Sequence, residues 1–320
     1  MDLPKLTDLD VSGKKVLLRL DLDVPEGDFT RLEVAGKTLD YLKEKNAQII
    51  VIGHRGRPAS ADASARQALS LKPLQPFFDK WGAKVEENLR FDPGEEANDP
   101  EFAKKLAALG DIYINEAFAT SHREHASIVG LPKILPHAFG FRFIEEIENL
   151  SKVFENPKAP VVILISGIKE DKVEMAKELS KIYDKVLVGG RLPEYFGDKA
   201  LESVRSQEGK MIIGNLTMDK EDITLNTIER FKAEIKSAGT IVLAGVPGKY
   251  EDSGHMQGTK EVFEAVASSS AYRVAGGGDT EAALTTLKLT DRFDWISVGG
   301  GAMLEFLEKK TLPGIEALLH

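Results

Sequence analysis

The feature that most constrains this chain is a recurring unit: a short apolar run rich in β-branched residues, ended by glycine or a polar loop. Such runs are Val16–Arg19, Ile49–Gly53, Ile112–Asn115, Val161–Gly167, Lys185–Gly190, Thr240–Gly245, Tyr272–Gly278 and Trp295–Gly301. Between them, Leu32–Lys45, Glu101–Leu109, Lys172–Tyr183, Asn226–Ser237 and Gly258–Ser268 carry helical spacing. A strand wet on one face alternates apolar and polar residues, and these runs do not. They therefore read as strands buried on both faces, with helices covering a parallel sheet. Alternation of the two patterns predicts an α/β fold.

The units fall into two sets, about residues 1–140 and 158–301. Between them Phe143, Ile144, Ile147, Leu150 and Phe154 form one stripe, so Phe141–Asn156 is expected to be a connecting helix, stopped at Asn156-Pro157. A chain of 320 residues suits two domains, the alternative being one continuous sheet. No apolar stretch nears the ~20 residues of a membrane helix. The start, MDLPKLTDLD, shows no secretory signal. With no cysteine, disulfides and thiolate metal sites are excluded and a reduced cytoplasm is the expected setting. A net charge of −9 argues against nucleic acid as partner, and a monomer is expected.

Cations cluster after the strands of the first set. Arg31 lies beyond the Asp21–Pro25 turn; HRGRP supplies His54, Arg55 and Arg57; ENLRF supplies Arg90; SHREHAS supplies His122, Arg123 and His125. Ligands of open α/β sheets bind outside the carboxyl ends of strands, and guanidinium forks match phosphate and carboxylate. Any one arginine also reads as a solvated loop charge; several at equivalent strand ends point to an anion site. The histidines lack HxH or HExxH spacing, and His137, His255 and His320 read as incidental.

The second set carries glycine instead: SGIK (Ser166–Lys169), VGGR (Val188–Arg191), AGVPG (Ala244–Gly248), AGGGDT (Ala275–Thr280) and VGGGA (Val298–Ala302). Glycine lets a backbone approach a ligand, and a following helix N-terminus offers free N–H groups to phosphate. None of these is a Walker A or GxGxxG motif. Asp279 suits a Mg²⁺ anchor beside phosphate, or else an N-cap for a helix over Glu281–Leu287. Lys169 is placed to neutralise a phosphoryl group, or is a surface charge.

Together KKVLLRLDLDVP with Thr30-Arg31, VIGHRGRP, the ENLRF-to-HREHAS stretch and GGGDT…VGGGAMLEFLEKKTLPGIEAL resemble the phosphoglycerate kinase family, in its order and over most of the chain. The resemblance implies two doubly wound, Rossmann-like parallel-sheet lobes joined by a helix and hinge. These would be an N-terminal phosphoglycerate lobe (1–140), a connecting helix (141–157) and a nucleotide lobe (158–320), with the last residues packing back on the first lobe. It implies phosphoryl transfer between 1,3-bisphosphoglycerate and ADP, giving 3-phosphoglycerate and ATP, with Mg²⁺, in glycolysis. Asp21, Asp23, Arg31, His54, Arg57 and Arg123 match phosphoglycerate-binding positions. Gly167, Lys169, Lys172, Glu251, Gly276, Gly277, Gly278, Asp279 and Thr280 match nucleotide positions, Asp279 also holding the metal. Arg31, Lys169, Gly299 and Gly300 match catalytic ones. Hinge candidates are Phe141–Asn156 and Ser297–Gly300.

Departures from the family pattern accompany the match. Asp23 replaces Asn, Arg55 replaces Leu, Ala159 replaces Arg, Ser166-Gly167-Ile168 replaces Gly-Gly-Ala, and Arg191 replaces glycine. Ala244 replaces Asn, Lys249 replaces Val and Val298 replaces Thr. One residue is deleted between Lys169 and Lys172, and segments are missing ahead of ENLRF and between Gly190 and Ile223. These changes open two alternatives: a homologue that binds a phosphometabolite or nucleotide without turnover, and a kinase of altered substrate.

Overall fold

The computed structural model describes residues 2–24, 29–57, 67–197 and 209–319, without the side chains of Thr30 and Arg31. The Arg31 side chain and His320 thus lie outside the described residues. The chain divides into two units, Met1–Glu148 with Thr311–His320, and Asn149–Lys310. Among the described residues no helix is long and apolar enough to cross a membrane.

Unit 1 holds a five-stranded parallel sheet in the order β3-β2-β1-β4-β5. Its strands are β1 (Lys15–Arg19), β2 (Gln48–Ile52), β3 (Lys84–Val85), β4 (Ile112–Asn115) and β5 (His137–Phe139). Central β1 is buried on both faces: Val16, Leu17, Leu18 and Arg19 show no exposed surface. Helices α1 (Gly36–Glu44), α2 (Pro100–Ala107) and α3 (Phe141–Ser151) belong to this half of the sequence. Asp99 caps α2, its carboxylate accepting from the amides of Glu101 and Phe102, with Pro100 in the first turn.

Unit 2 holds six parallel strands in the order β11-β10-β9-β6-β7-β8. They are β6 (Val161–Gly167), β7 (Lys185–Gly190), β8 (Met211–Ile213), β9 (Thr240–Ala244), β10 (Tyr272–Gly276) and β11 (Trp295–Ser297). Helices α4 (Asp171–Ile182), α5 (Leu225–Ser237), α6 (Gln257–Ser268), α7 (Gly278–Thr286) and α8 (Gly300–Lys309) accompany them. The final helix, α9 (Pro313–Leu319), lies in unit 1, where the Gly314 amide donates to Ser121 O at 2.9 Å. In unit 2 the core joins Leu164, Leu187 and Leu243 of the sheet to Phe231 of α5 and Phe263 of α6. These are two doubly wound α/β sheets, and the single-sheet alternative does not hold.

Three element bounds differ from expectation. The helix expected over Leu32–Lys45 breaks after Glu33 and resumes at Gly36, because Ala35 N bonds three residues back to Leu32 O. The connecting helix ends at Ser151, where Val153 and Phe154 also bond three residues back. Apolar spacing of three and four fits either geometry. Strand β10 stops at Gly276 and α7 begins at Gly278, so Gly277 is the N-cap and Asp279 sits in the first turn without capping it.

Buried Glu116, just past β4, caps α3 from the sheet. It accepts from the Phe143 amide at 2.9 Å, the Arg142 amide at 3.2 Å and the Thr38 hydroxyl. Burial pushes its carboxyl up to about 7, against these donors. A Cβ on Gly140 would overlap this carboxylate. Gly140→Ala is therefore expected to cost about 1–3 kcal/mol through overpacking, read as a lower urea midpoint.

Candidate functional site

In each sheet the chain leaves one central strand toward both edges, and the carboxyl ends of the strands flanking that point frame a crevice. In unit 1 these strands are β1 and β4, with β2 beside them. The carboxyl end of β1 gives Asp21 and Asp23, that of β2 gives His54 and Arg57, and the loop after β4 gives Arg123. Asp21 ties β1 to the β4 loop, accepting from the Ala119 amide at 2.9 Å and from the Thr120 hydroxyl. Asp23 ties β1 to the β2 loop, accepting from the Gly56 amide at 2.9 Å. An asparagine oxygen would serve that amide equally, but the carboxylate also faces Arg90 and Arg123.

The cations here act on one another. Burial and then Arg57 lower the Arg123 pKa, with Arg19 adding and Glu96 and Asp23 opposing. Burial lowers Arg90, with Glu96 opposing and Arg123 and Arg57 adding. Arg90 is 7% exposed; its Nη1 donates to Gly56 O at 2.7 Å, and Nη2 is buried without a hydrogen-bond partner. Mutually repelling cations with an unsatisfied buried donor favour an anion that accepts from them. His54 is buried and held well below the ordinary imidazole range by desolvation, then by Arg19, Arg90, His125 and Arg123. Buried His125 is lowered to about 4 by desolvation, then by Arg19, Arg90, Arg123 and His122.

In unit 2 the crevice lies at β6 and β9, beside β10. A cavity of about 260 Å³ is lined there by Lys172, Ala244, Gly245, the run Gly276–Thr280, Gly300, Gly301 and Leu304. The N-termini of α7 and α8 both open on it, so free backbone N–H groups and two helix dipoles favour negative charge. Only glycine permits this approach: Gly277 has φ +100, and a Cβ on Gly300 would lie 2.9 Å from the Gly277 Cα. The Gly245 amide donates to the Thr280 hydroxyl oxygen at 2.8 Å, joining β9 to α7 and leaving the hydroxyl proton to donate.

Lys172 Nζ donates to Ser166 O at 2.7 Å and faces Asp279; burial lowers its pKa, with Asp279 and Asp171 opposing and Lys169 adding. A Cβ on Gly167 would come within 3.0 Å of Lys172 Nζ, so this glycine lets the lysine fold back over β6. Of the nucleotide-side residues read from the sequence, Lys172, Gly276, Gly277, Gly278, Asp279, Thr280 and Gly300 share the cavity. Lys169 and Glu251 are exposed and do not line it, and Gly299 caps α8 beside it. No cluster of three or more metal-ligating side chains occurs among the described residues. The donor set fits Mg²⁺ of the kind held by one carboxylate, here Asp279, and phosphate oxygens.

The family of sequences described as phosphoglycerate kinase matches residues 6–86, 82–211 and 198–310. The chain belongs to the phosphoglycerate kinase family. It is 35% identical to the phosphoglycerate kinase of Dictyoglomus turgidum, covering 98% of this chain and 97% of that one. A phosphoglycerate kinase from Coxiella burnetii shares the structure with a TM-score of 0.83 and 30% identity, over 99% of both chains. A phosphoglycerate kinase from Pyrococcus horikoshii gives a TM-score of 0.79 at 26% identity, over 99% of this chain and 98% of that one. The Dictyoglomus alignment runs to 389 positions against 320 residues here, so this family member lacks segments that its relative carries. The phosphoglycerate kinases are transferases, and this fold is theirs.

Sequence reasoning left Arg19, Glu95 and Ser127 out of the site, and counted Arg90 among the cation clusters of an anion site without assigning it a role. The available signal was Arg19 itself, a charge inside an apolar strand run, which needs buried partners. His125 generates a prediction. Its imidazole is neutral and buried in the folded chain, but has its ordinary value of 6.5 unfolded. The stability tied to the neutral ring is present above pH 6.5 and is lost as pH falls toward 4. Between pH 7 and pH 5 the wild type should lose about 2 kcal/mol more than His125→Gln, read by urea unfolding at each pH.

Proposed function

We propose that the protein transfers a phosphoryl group between 1,3-bisphosphoglycerate and ADP, giving 3-phosphoglycerate and ATP, reversibly and with Mg²⁺. The observation that carries this reading is the glycine-walled cavity that brings Lys172 and Asp279 to two helix N-termini, in a chain whose other sheet gathers arginines at its own carboxyl edge. In the direction of ATP use, a carboxylate oxygen of 3-phosphoglycerate attacks the γ-phosphorus. The bond from phosphorus to the bridging oxygen breaks, and ADP leaves with the electron pair. Such transfers need positioning and charge stabilisation more than a protein base.

Arg57, Arg90, Arg123 and His54 would orient the acid, with Arg31 assigned beside them by its motif position. Asp21 and Asp23 would hold the loops that carry these groups. The amides at the starts of α7 and α8 and Thr280 would receive the nucleotide phosphates, with Lys172 and Asp279 at their side. Mg²⁺, bound with the nucleotide, would neutralise phosphate charge. Lys169 would act from its exposed loop on the transferring phosphoryl group, and Glu251 on the ribose hydroxyls.

The test is steady-state turnover of 3-phosphoglycerate with MgATP, coupled to consumption of the acyl phosphate. Turnover is expected; none from folded protein would contradict the proposal. Lys169→Ala should lower kcat at least ~100-fold with little change in nucleotide KM, as for loss of one transition-state stabiliser. Lys172→Ala should raise nucleotide KM as well as lower kcat. Near-normal turnover in the Lys169 variant would remove that residue from the mechanism. Asp279→Asn should weaken MgADP binding by calorimetry while leaving ADP in EDTA nearly unchanged; equal losses in both would take the metal role from Asp279.

A further inference from the structure

Arg19 is the largest fully buried side chain among the described residues. It ends β1, beneath the loops of the anion site. Its Nε donates to Ser127 Oγ at 2.9 Å, Nη1 to Leu20 O, and Nη2 to His54 Nδ1 at 2.9 Å. The Ser127 hydroxyl then donates to Glu95 Oε1 at 2.6 Å, and the Ser127 amide to Glu95 Oε2 at 3.0 Å. Glu95 is also fully buried. One hydroxyl therefore bridges a buried positive charge and a buried negative one, and every polar atom of the bridge has a directed partner. A charge set so deeply holds its geometry, since any displaced group would be left desolvated and unpaired.

The direction of the last bond has a chemical consequence. A guanidinium has no acceptor and keeps its proton, so His54 Nδ1 can only accept from it. The ring proton must then sit on Nε2, which has no partner among the described residues. Burial, and then the positive charges of Arg19, Arg90 and Arg123, oppose a second ring proton. Asp23, in the loop after β1, is engaged by the Gly56 amide. Neighbouring His125 has its ring centroid 6.4 Å away and makes no hydrogen bond to His54.

We propose that Arg19 is a positioning residue of the anion site: anchored through Ser127 to Glu95, it fixes His54 as a neutral imidazole carrying its proton on Nε2. His54 then adds no positive charge to the guanidinium groups of the site, and contributes one hydrogen-bond donor of fixed direction that does not change between pH 5 and pH 8. The identity of the anion rests on the function proposed above; the tautomer does not.

The test is nitrogen-15 NMR of the full chain labelled in histidine and arginine, with His54 assigned from the spectrum of His54→Gln. The expected wild-type result is an unprotonated Nδ1 and a protonated Nε2 that do not titrate from pH 5 to pH 8. A scalar coupling across the hydrogen bond from Arg19 Nη2 to His54 Nδ1 is expected with it. In Arg19→Met, His54 should populate both tautomers, because no obligatory donor then holds Nδ1 as an acceptor. A proton on Nδ1 in the wild type, or titration within that range, would overturn the proposal. An unchanged spectrum in Arg19→Met would overturn the part given to Arg19. If that variant does not fold, the wild-type coupling decides: its absence overturns the proposal. None of these readouts depends on turnover, so an inactive protein with the expected spectrum would count against the proposed function and not against this inference.

Discussion

Parallel pairing sets every strand of a sheet pointing the same way, and both candidate sites follow from that constraint. Because β1, β2 and β4 run parallel, the loops after them emerge at one edge although they lie far apart in sequence. Asp21, His54 and Arg123 meet for that reason alone. The same rule at β6, β9 and β10 collects Gly245, Gly277 and Asp279. An antiparallel sheet of the same residues would send successive loops to opposite edges and assemble neither crevice.

The two candidate sites differ in how they would hold an anion. Unit 1 uses side-chain charge and must keep mutually repelling cations together. It does so by burying Arg19 against Ser127 and Glu95, and by lacing its loops with Asp21 and Asp23. Unit 2 uses backbone, and its requirement is steric. Two helix starts approach closely only because glycine occupies both Gly277 and Gly300. A side chain at Gly300 would meet the Gly277 backbone, so α8 could not start so close to α7.

Much of this was legible in the residues. The apolar runs located the strands of both sheet centres, and the cations and glycines after them marked the two edges. The short strands β3, β5 and β8 left no comparable pattern, since two or three residues show no period, whereas β11, also three residues long, was marked by the glycines after it. The end of α3 was hidden because Leu150 and Phe154 fit a tightening turn as well as a continuing helix. The difference between Lys169 and Lys172 was also invisible: three residues apart in one motif, one lies exposed on a loop and the other folds back into the cavity. Arg19 was read as the end of a strand, and its link to His54 could not be seen without the fold that joins β1 to β2.

The central claim is that one sheet holds the acid and the other the nucleotide, each through its own edge. Calorimetric titration of the wild type and of Arg123→Ala, with 3-phosphoglycerate and MgADP added separately, tests it most directly. The wild type should bind both ligands. Arg123→Ala should weaken 3-phosphoglycerate at least ~10-fold, as for loss of one charged hydrogen bond, and leave MgADP affinity unchanged. Parallel loss of both ligands, or undiminished binding of the acid, would contradict the account.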